Sequence, residues 1–173
     1  MLGASNLQKR WTLTVRFIDT KLSRPRWRWT LDYRVNRKLL VGVEWNPAAK
    51  EFNPLRLTYD LTSETKTTPL ISLGTSSDRV GSPEGTQMYY LTVAKTLPQT
   101  QLAPYVSLAY SEWDDGFNVP FGVYWHINPH WNLLAMNDGR QSHLLLTHQW
   151  RDGWITVGWI WLKRFSVSIG WGF

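Results

Sequence analysis

The sequence predicts an all-β protein, an antiparallel up-and-down barrel of about twelve strands built as one domain over residues 1–173. Three observations predict this fold. Apolar residues recur at every second position instead of at helical spacing. Residues that favour tight turns separate the alternating segments. The chain is also long enough for one domain with a core and too short for two ordinary ones.

The clearest alternation spans residues 26–35. Side chains of a strand point alternately to opposite faces, so the apolar residues of this segment share one face and the charged and hydroxyl residues share the other. The segment therefore separates an apolar environment from a polar one. Its apolar face consists of Trp27, Trp29, Leu31, Tyr33 and Val35.

The same alternation predicts the remaining strands in order along the chain. They are centred on residues 11–17, 39–45, 55–61, 71–73, 89–93, 106–110, 121–127, 131–137, 144–146, 155–161 and 165–173. Turn-forming residues lie between many of them, at 36–38, 46–47, 128–130, 137–139 and 151–153. The stretch 75–86, rich in Gly, Ser and Pro, predicts one long loop. The span 62–87 leaves the strand count open between ten and twelve.

Composition excludes several classes of site. The chain has no cysteine, so disulfides, cysteine-ligated zinc, thiol nucleophiles and iron–sulfur clusters are absent. No run reaches the roughly 18 apolar residues that a transmembrane helix needs. The mean hydropathy of −0.33 is compatible with a soluble protein and equally with a membrane β-barrel, whose alternation averages out.

The polar face differs between the two halves of the chain. Early strands place long charged side chains there, whereas late strands place small residues there. Small residues suit a confined lumen better than a solvent-facing sheet, so the polar face is predicted to face inward. The small residues are Ser72, Gly74, Ser107, Ala109, Ser111, Gly122, Gly158, Ser166, Ser168 and Gly170.

Aromatic residues concentrate at the predicted strand ends, while the strand centres are mostly Leu, Val and Ile. Twelve of the 173 residues are tryptophan. Two aromatic girdles around an aliphatic band are what the two interfaces of a bilayer select. The predicted girdle residues are Trp11, Trp27, Trp29, Trp45, Trp125, Trp131, Trp159, Trp161, Trp171 and Phe173.

The C-terminal segment alternates large apolar with small or polar residues and ends on an aromatic. Its large residues are Phe165, Val167, Ile169, Trp171 and Phe173. This pattern resembles the C-terminal signature of bacterial outer-membrane β-barrel proteins. The resemblance implies an outer-membrane location, lipid and the barrel-assembly machinery as partners, and both termini on the periplasmic side. The net charge of +6 and the lack of a visible signal peptide depart from the usual member and leave secretion open.

The predicted lumen carries the candidate functional residues. They are Arg16, Arg26, Arg28, Asp32, Arg34, Glu44, Arg56, Asp60, Tyr124 and His126. Five arginines against three carboxylates favour anions, so the expected function is a small pore for anionic or polar solutes. If these charges pair with one another and fill the interior, the expected function is a structural barrel of an envelope assembly, packed against other envelope subunits. The sequence leaves both open.

Functions of other classes have weaker support. Inverting the two faces would give a soluble barrel or sandwich that binds a ligand or partner. Ser142 and His143 suggest a hydrolase, but neighbours on a strand point apart, so no catalytic residue is assigned. The acidic loop 112–116 and the histidines lack metal-site spacing, so no metal or cofactor is expected. The basic and aromatic faces of residues 26–35 are opposite, which argues against nucleic-acid binding.

Overall fold

The structure is a computed structural model that describes residues 9–173, and nearly all of it is antiparallel sheet. The strands are β1 (Trp11–Ile18), β2 (Trp27–Arg34), β3 (Leu39–Asn46), β4 (Glu51–Asp60), β5 (Leu70–Ser77), β6 (Gln87–Ala94), β7 (Leu102–Ser111), β8 (Gly116–Asn118), β9 (Phe121–Asn128), β10 (Trp131–Asn137), β11 (Ser142–Gln149), β12 (Gly153–Ile160) and β13 (Arg164–Gly172). A four-residue helix, α1 (Ser23–Arg26), and a 3₁₀ turn (Pro47–Ala49) complete the secondary structure of this part of the chain.

Twelve strands close into a barrel. Each strand pairs with its neighbours in sequence, and β1 pairs with β13 to close the ring. Strand β7 pairs with both β6 and β9, while the short β8 only extends the hairpin beside β7. Both β5 and β6 are present, so the predicted count of twelve is confirmed over ten. Within residues 9–173, closure pairs each of the twelve barrel strands on both sides, and the short β8 pairs on one side.

The two rims of the barrel differ. Trp11 and Phe173 lie at one rim, called here the terminal rim, together with connections 35–38, 61–69, 95–101, 129–130 and 150–152. The opposite rim, called the mouth rim, carries α1, the 3₁₀ turn and connections 78–86, 112–115, 138–141 and 161–163. The predicted loop 75–86 is partly strand, because β5 continues to Ser77, and β4 begins at Glu51, four residues before the predicted segment 55–61.

Burial is inverted relative to an ordinary soluble domain. Among residues 9–173, the buried apolar side chains number four, Ile18, Ala103, Ala109 and Ile160. Seventeen polar or charged residues are buried, including Glu44 at 2% and Asn46 at 1% exposure. Thirty-three large hydrophobic residues are exposed. The polar face of the sheet therefore points inward and the apolar face points outward.

Candidate functional site

The inward charges of the strands lie on one side of the lumen, called here the charged wall, which is the inner face of β1–β4. The cross-strand register places Arg16 beside Arg28, Thr30 beside Glu44, and Gly42 between Asp32 and Arg56. The alternation along each strand puts these positions on the same face. Arg34 and Asp60 continue the wall toward the terminal rim.

Most charges of this wall are paired. Arg28 Nη2 lies 2.6 Å from Glu44 Oε2, and Arg56 contacts both Glu44 (3.5 Å) and Asp32 (3.1 Å). Glu44 also accepts hydrogen bonds from Asn46 Nδ2 and Ser77 Oγ at 3.0 and 2.7 Å. Such a carboxylate is held in place by several donors, which compensates for its burial.

Arg16 differs from Arg28 and Arg56, which are both ion-paired, and within residues 9–173 it shares the lack of an ion pair with Arg34. Among the described residues it has no ion pair within 4.0 Å, and its Nε is buried without a hydrogen-bond partner. The neighbouring strand presents Arg28 directly beside it. The wall thus keeps an excess of one positive charge, four arginines against three carboxylates.

The opposite side of the lumen is formed by rings and small residues, and its glycines are covered. A Cβ on Gly122 would lie 2.9 Å from Cε1 of Tyr105, and one on Gly74 would lie 2.6 Å from Oη of Tyr90. The ring of Trp154 covers Gly170 in the same way. Larger side chains from adjacent strands therefore lie across these small residues and occupy part of the lumen.

Tyr124 and His126 belong to this second side. Their rings stack with centroids 6.4 Å apart and planes 7° apart. His126 Nδ1 lies 2.7 Å from Asn132 Oδ1, a hydrogen bond between β9 and β10. Both residues are inward-facing, in contact with each other and separated from the charged wall by the width of the barrel.

The mouth rim is covered by residues 78–86, called here the mouth loop. Arg24 ties it down: its Nε donates to Glu51 Oε2 at 2.7 Å, and its Nη atoms donate to the carbonyl oxygens of Ser82 and Thr86 at 3.2 Å each. The N–H of Gly85 donates to the other oxygen of Glu51 at 2.8 Å. One buried arginine and one carboxylate thereby join α1, β4 and the mouth loop.

The start of the mouth loop is anchored on the other side of the rim. Asp78 accepts hydrogen bonds from Ser111 Oγ at 2.6 Å and from the N–H of Trp113 at 3.2 Å. Arg79 pairs with Asp114, and its guanidinium lies 5.2 Å from the Trp113 ring centroid. The loop that the sequence predicted is therefore ordered by ion pairs and covers the barrel end.

Two cavities lie at this rim. A cavity of about 10 Å³ beneath the mouth loop is lined by Arg16, Arg24, Arg28, Glu44, Asp78 and Arg79, among others. A larger pocket of about 280 Å³ lies among the mouth-rim connections, between Arg79, Trp113, Arg140, Trp161 and Lys163. The first cavity has room for about one water molecule.

The structure places two predicted residues, Arg26 and Trp161, differently. Arg26 is exposed at the end of α1, because this helix interrupts the strand alternation before Trp27. Its place inside the rim is taken by the buried Arg24, which the sequence analysis missed. Trp161 lies in the 161–163 turn with its ring 3.1 Å from a Cβ built on Gly81, so it faces the mouth and not the girdle. Trp154 points inward.

The other predicted girdle residues lie on the outer surface. Their exposed fractions range from 38% for Trp131 to 55% for Phe173. They are Trp11, Trp27, Trp29, Trp45, Trp125, Trp131, Trp159, Trp171 and Phe173. Cross-strand pairs such as Trp29 with Trp45 and Trp11 with Tyr33 have ring centroids 5.9 and 4.6 Å apart. Aromatic rings thus cluster at both ends of the outer surface.

Asp114 of the acidic loop and the neighbouring residues Ser142 and His143 each form hydrogen bonds with other side chains. Burial alone would raise the pKa of Asp114, but hydrogen bonds from Arg79 and Asn118 lower it below its usual value. His143 lies inside, with Nε2 2.9 Å from Asp138, while Ser142 accepts a hydrogen bond from Asn137. Ser142 and His143 form no nucleophile–base pair. No cluster of three metal-ligating side chains occurs within residues 9–173.

These features define a closed antiparallel barrel with a polar, arginine-rich lumen and an apolar outer face. No family model matches the chain, and a search of curated proteins found no match. The fold is similar to that of a solved structure, the NanC porin in a rhombohedral crystal form, with a TM-score of 0.54. The likeness covers 94% of this chain and 98% of the porin chain at 12% identity, so it establishes the fold. Within the described residues, no helix is long and apolar enough to span a membrane.

Proposed function

We propose that the protein is a bacterial outer-membrane β-barrel that passes small anionic or polar solutes, with the mouth loop as its lid. The inverted burial carries the proposal. An outer surface of exposed aliphatic and aromatic residues around a buried polar interior requires an apolar medium outside the barrel. Water would leave that surface as an unusually large apolar patch.

The outer surface supports a membrane orientation. Aromatic residues near both rims match the two headgroup levels of a bilayer, and lipid is accordingly the first partner. We place the termini in the periplasm and the mouth loop outside. Of the large residues of the C-terminal segment, Phe165, Ile169, Trp171 and Phe173 are exposed and Val167 is half-buried, which supports recognition of this segment by the barrel-assembly machinery.

The lumen supports a preference for anions. The charged wall has one positive charge in excess, and Arg16 has no carboxylate partner among the described residues. Inside a low-dielectric wall, such a charge attracts anions and repels cations. We assign no catalytic role to any described residue.

Membrane insertion is tested first, by flotation with lipid vesicles and by gel mobility in SDS with and without boiling. The proposal expects a lipid-bound species whose mobility shifts on heating. A protein that stays soluble and monodisperse without detergent would instead establish the soluble barrel or sandwich, with the apolar face covered by a ligand or partner.

Conduction is tested in planar bilayers under a salt gradient. We expect the sign of the reversal potential to indicate anion selectivity. Arg16→Gln should shift the reversal potential in the direction of lower anion selectivity. The matched control is Arg26→Gln, because this arginine is exposed outside the lumen.

The narrow cavity at the mouth favours a second candidate, a structural barrel of an envelope assembly. The two are distinguished by loosening the lid. A protein that inserts into bilayers but carries no current, even as Arg24→Gln, is a structural barrel. Co-purification of a stoichiometric envelope subunit would then identify the assembly.

A further inference from the structure

The small cavity beneath the mouth loop combines unpaired buried donors with uncompensated charge. Four arginines line it, Arg16, Arg24, Arg28 and Arg79, against the two carboxylates Glu44 and Asp78. Arg24 and Arg79 also pair with carboxylates outside the lining, Glu51 and Asp114, and Arg28 pairs with Glu44, so the charge left without a counter-charge among the described residues is that of Arg16. An uncompensated buried charge is costly unless a counter-charge is present.

The carboxylates of this cavity are already engaged. Glu44 pairs with Arg28 and accepts from Asn46 and Ser77. Asp78 accepts from the N–H of Arg79 at 2.7 Å, from Ser111 and from the N–H of Trp113. Neither carboxylate approaches Arg16 within ion-pair distance in the described part of the chain.

Two of the arginines keep free hydrogen-bond donors. The Arg79 side chain is 2% exposed, and its Nη2 contacts Asp114 and Ser111. Its Nε and Nη1 have no hydrogen-bond partner among the described residues, and Nε lies 3.7 Å from Asp78 Oδ1. Arg16 Nε is likewise buried and unpartnered. Donors of both residues belong to side chains that line the same cavity.

We propose that this cavity is a binding site for one halide ion, chloride under physiological conditions, held by the guanidinium groups of Arg16 and Arg79. Guanidinium donors form strong charge-assisted hydrogen bonds to anions. A cavity of about 10 Å³ admits one particle near the size of a water molecule, which excludes polyatomic anions such as phosphate or a carboxylate. The ion neutralises the unpaired charge of Arg16 and fastens the mouth loop to β1.

This site does not depend on conduction, because a closed structural barrel would contain the same cavity. Its function is to stabilise the closed mouth. Removal of chloride should therefore loosen the mouth loop without affecting membrane insertion.

The direct test uses crystals of the full chain soaked in sodium bromide, with bromine located by anomalous scattering. The expected result is one peak between the guanidinium groups of Arg16 and Arg79. Arg16→Met should abolish the peak and should fold, since Arg16 makes no ion pair with the described residues. The exposed Arg26→Met should retain it. A water molecule in place of bromide, or a peak that persists in Arg16→Met, would overturn the proposal.

A solution measurement excludes an adventitious ion that binds only at crystal concentrations. The heat-induced unfolding of the detergent-folded protein is followed in chloride and in gluconate at equal ionic strength. A bound ion stabilises the folded state as its concentration rises. We expect chloride-specific stabilisation, and at least about tenfold weaker halide binding in Arg16→Met, because one charge-assisted donor is lost. Equal stability in both salts at all concentrations would refute the site.

Discussion

Arg28 and Glu44 form an ion pair inside the barrel, with Arg28 Nη2 2.6 Å from Glu44 Oε2. The Glu44 side chain is 2% exposed and also contacts Arg56, so it is the shared counter-charge of two arginines. A single carboxylate between two guanidinium groups makes the charged wall sensitive to change at this position. The consequences for stability and for selectivity can be separated by experiment.

Neutralising this carboxylate should destabilise the barrel. In Glu44→Gln, two largely buried arginines lose their shared charge partner, and breaking a buried pair in this way costs about 3–5 kcal/mol. Urea unfolding in lipid or detergent measures the change, with the exposed Glu84→Gln as the control. If the barrel conducts, Glu44→Gln should also increase its anion preference. Unchanged stability would show that Arg28 and Arg56 do not depend on Glu44.

Adding a methyl group at Gly170 should strain the Trp154 ring that covers this glycine. The three atoms nearest a Cβ on Gly170 all belong to the Trp154 ring, so Gly170→Ala should destabilise the barrel by about 1–3 kcal/mol through overpacking. Removing the ring in the double variant Gly170→Ala/Trp154→Ala should offset that strain, so the two effects are not additive. At Gly172 the nearest atom is 3.6 Å away, and Gly172→Ala is the control. Additive effects of the two substitutions would contradict the contact.

Removing the contacts of the Arg24 guanidinium should loosen the mouth loop. Arg24→Gln loses the ion pair with Glu51 and the donors to Ser82 and Thr86, which hold the mouth loop. Limited proteolysis should then cut within residues 83–86, and the single-channel current should rise in a barrel that conducts. Arg26→Gln should behave like the original protein. A mouth loop as resistant to protease as before would show that the Asp78 and Arg79 contacts hold it alone.

Acid should loosen the turn at residues 138–141. Burial alone would raise the pKa of Asp138, but hydrogen bonds from His143 and from the N–H groups of Gln141 and Arg140 lower it below its ordinary value. A lowered pKa stabilises the folded state above the ordinary aspartate pKa, and this stabilisation is lost as the pH falls through the folded-state pKa.

The measurement is the free energy of unfolding between about pH 5 and pH 2. Asp138→Asn should lower stability at neutral pH and reduce the loss of stability on acidification. The exposed Asp19→Asn is the matched control. An acid dependence identical to that of the original protein would show that Asp138 does not contribute.

The alternation of residues predicted the strands and the face of most side chains, because a period of two is imposed by backbone geometry. The alternation gave wrong predictions at the ends of two strands, β2 and β12. Arg26 continues the alternation of β2 in sequence, but α1 turns it outward and buries Arg24 instead. Trp161 failed for the same reason, because it follows the last residue of β12.

Local sequence patterns could not predict the contacts across the mouth rim. Asp78 and Arg79 lie in a predicted loop, and their partners Ser111 and Asp114 are more than thirty residues away in sequence. The same holds for Arg24 and Ser82, which are 58 residues apart. The one available signal was the pair of opposite charges, Asp78-Arg79, within a stretch otherwise rich in Gly, Ser and Pro.

The confinement of strand charges to β1–β4 gives the interior an electric field that runs across the barrel axis as well as along it. Rings and aliphatic groups on β7, β9, β10 and β11, such as Tyr105, Tyr124, Leu134 and Leu145, form the uncharged side. A molecule with one charged end and one apolar end inside such a lumen experiences a torque. If the barrel passes solutes as proposed, such a molecule should turn broadside, anionic end toward the arginines, and its passage should depend on the distribution of charge within it as well as on its sign.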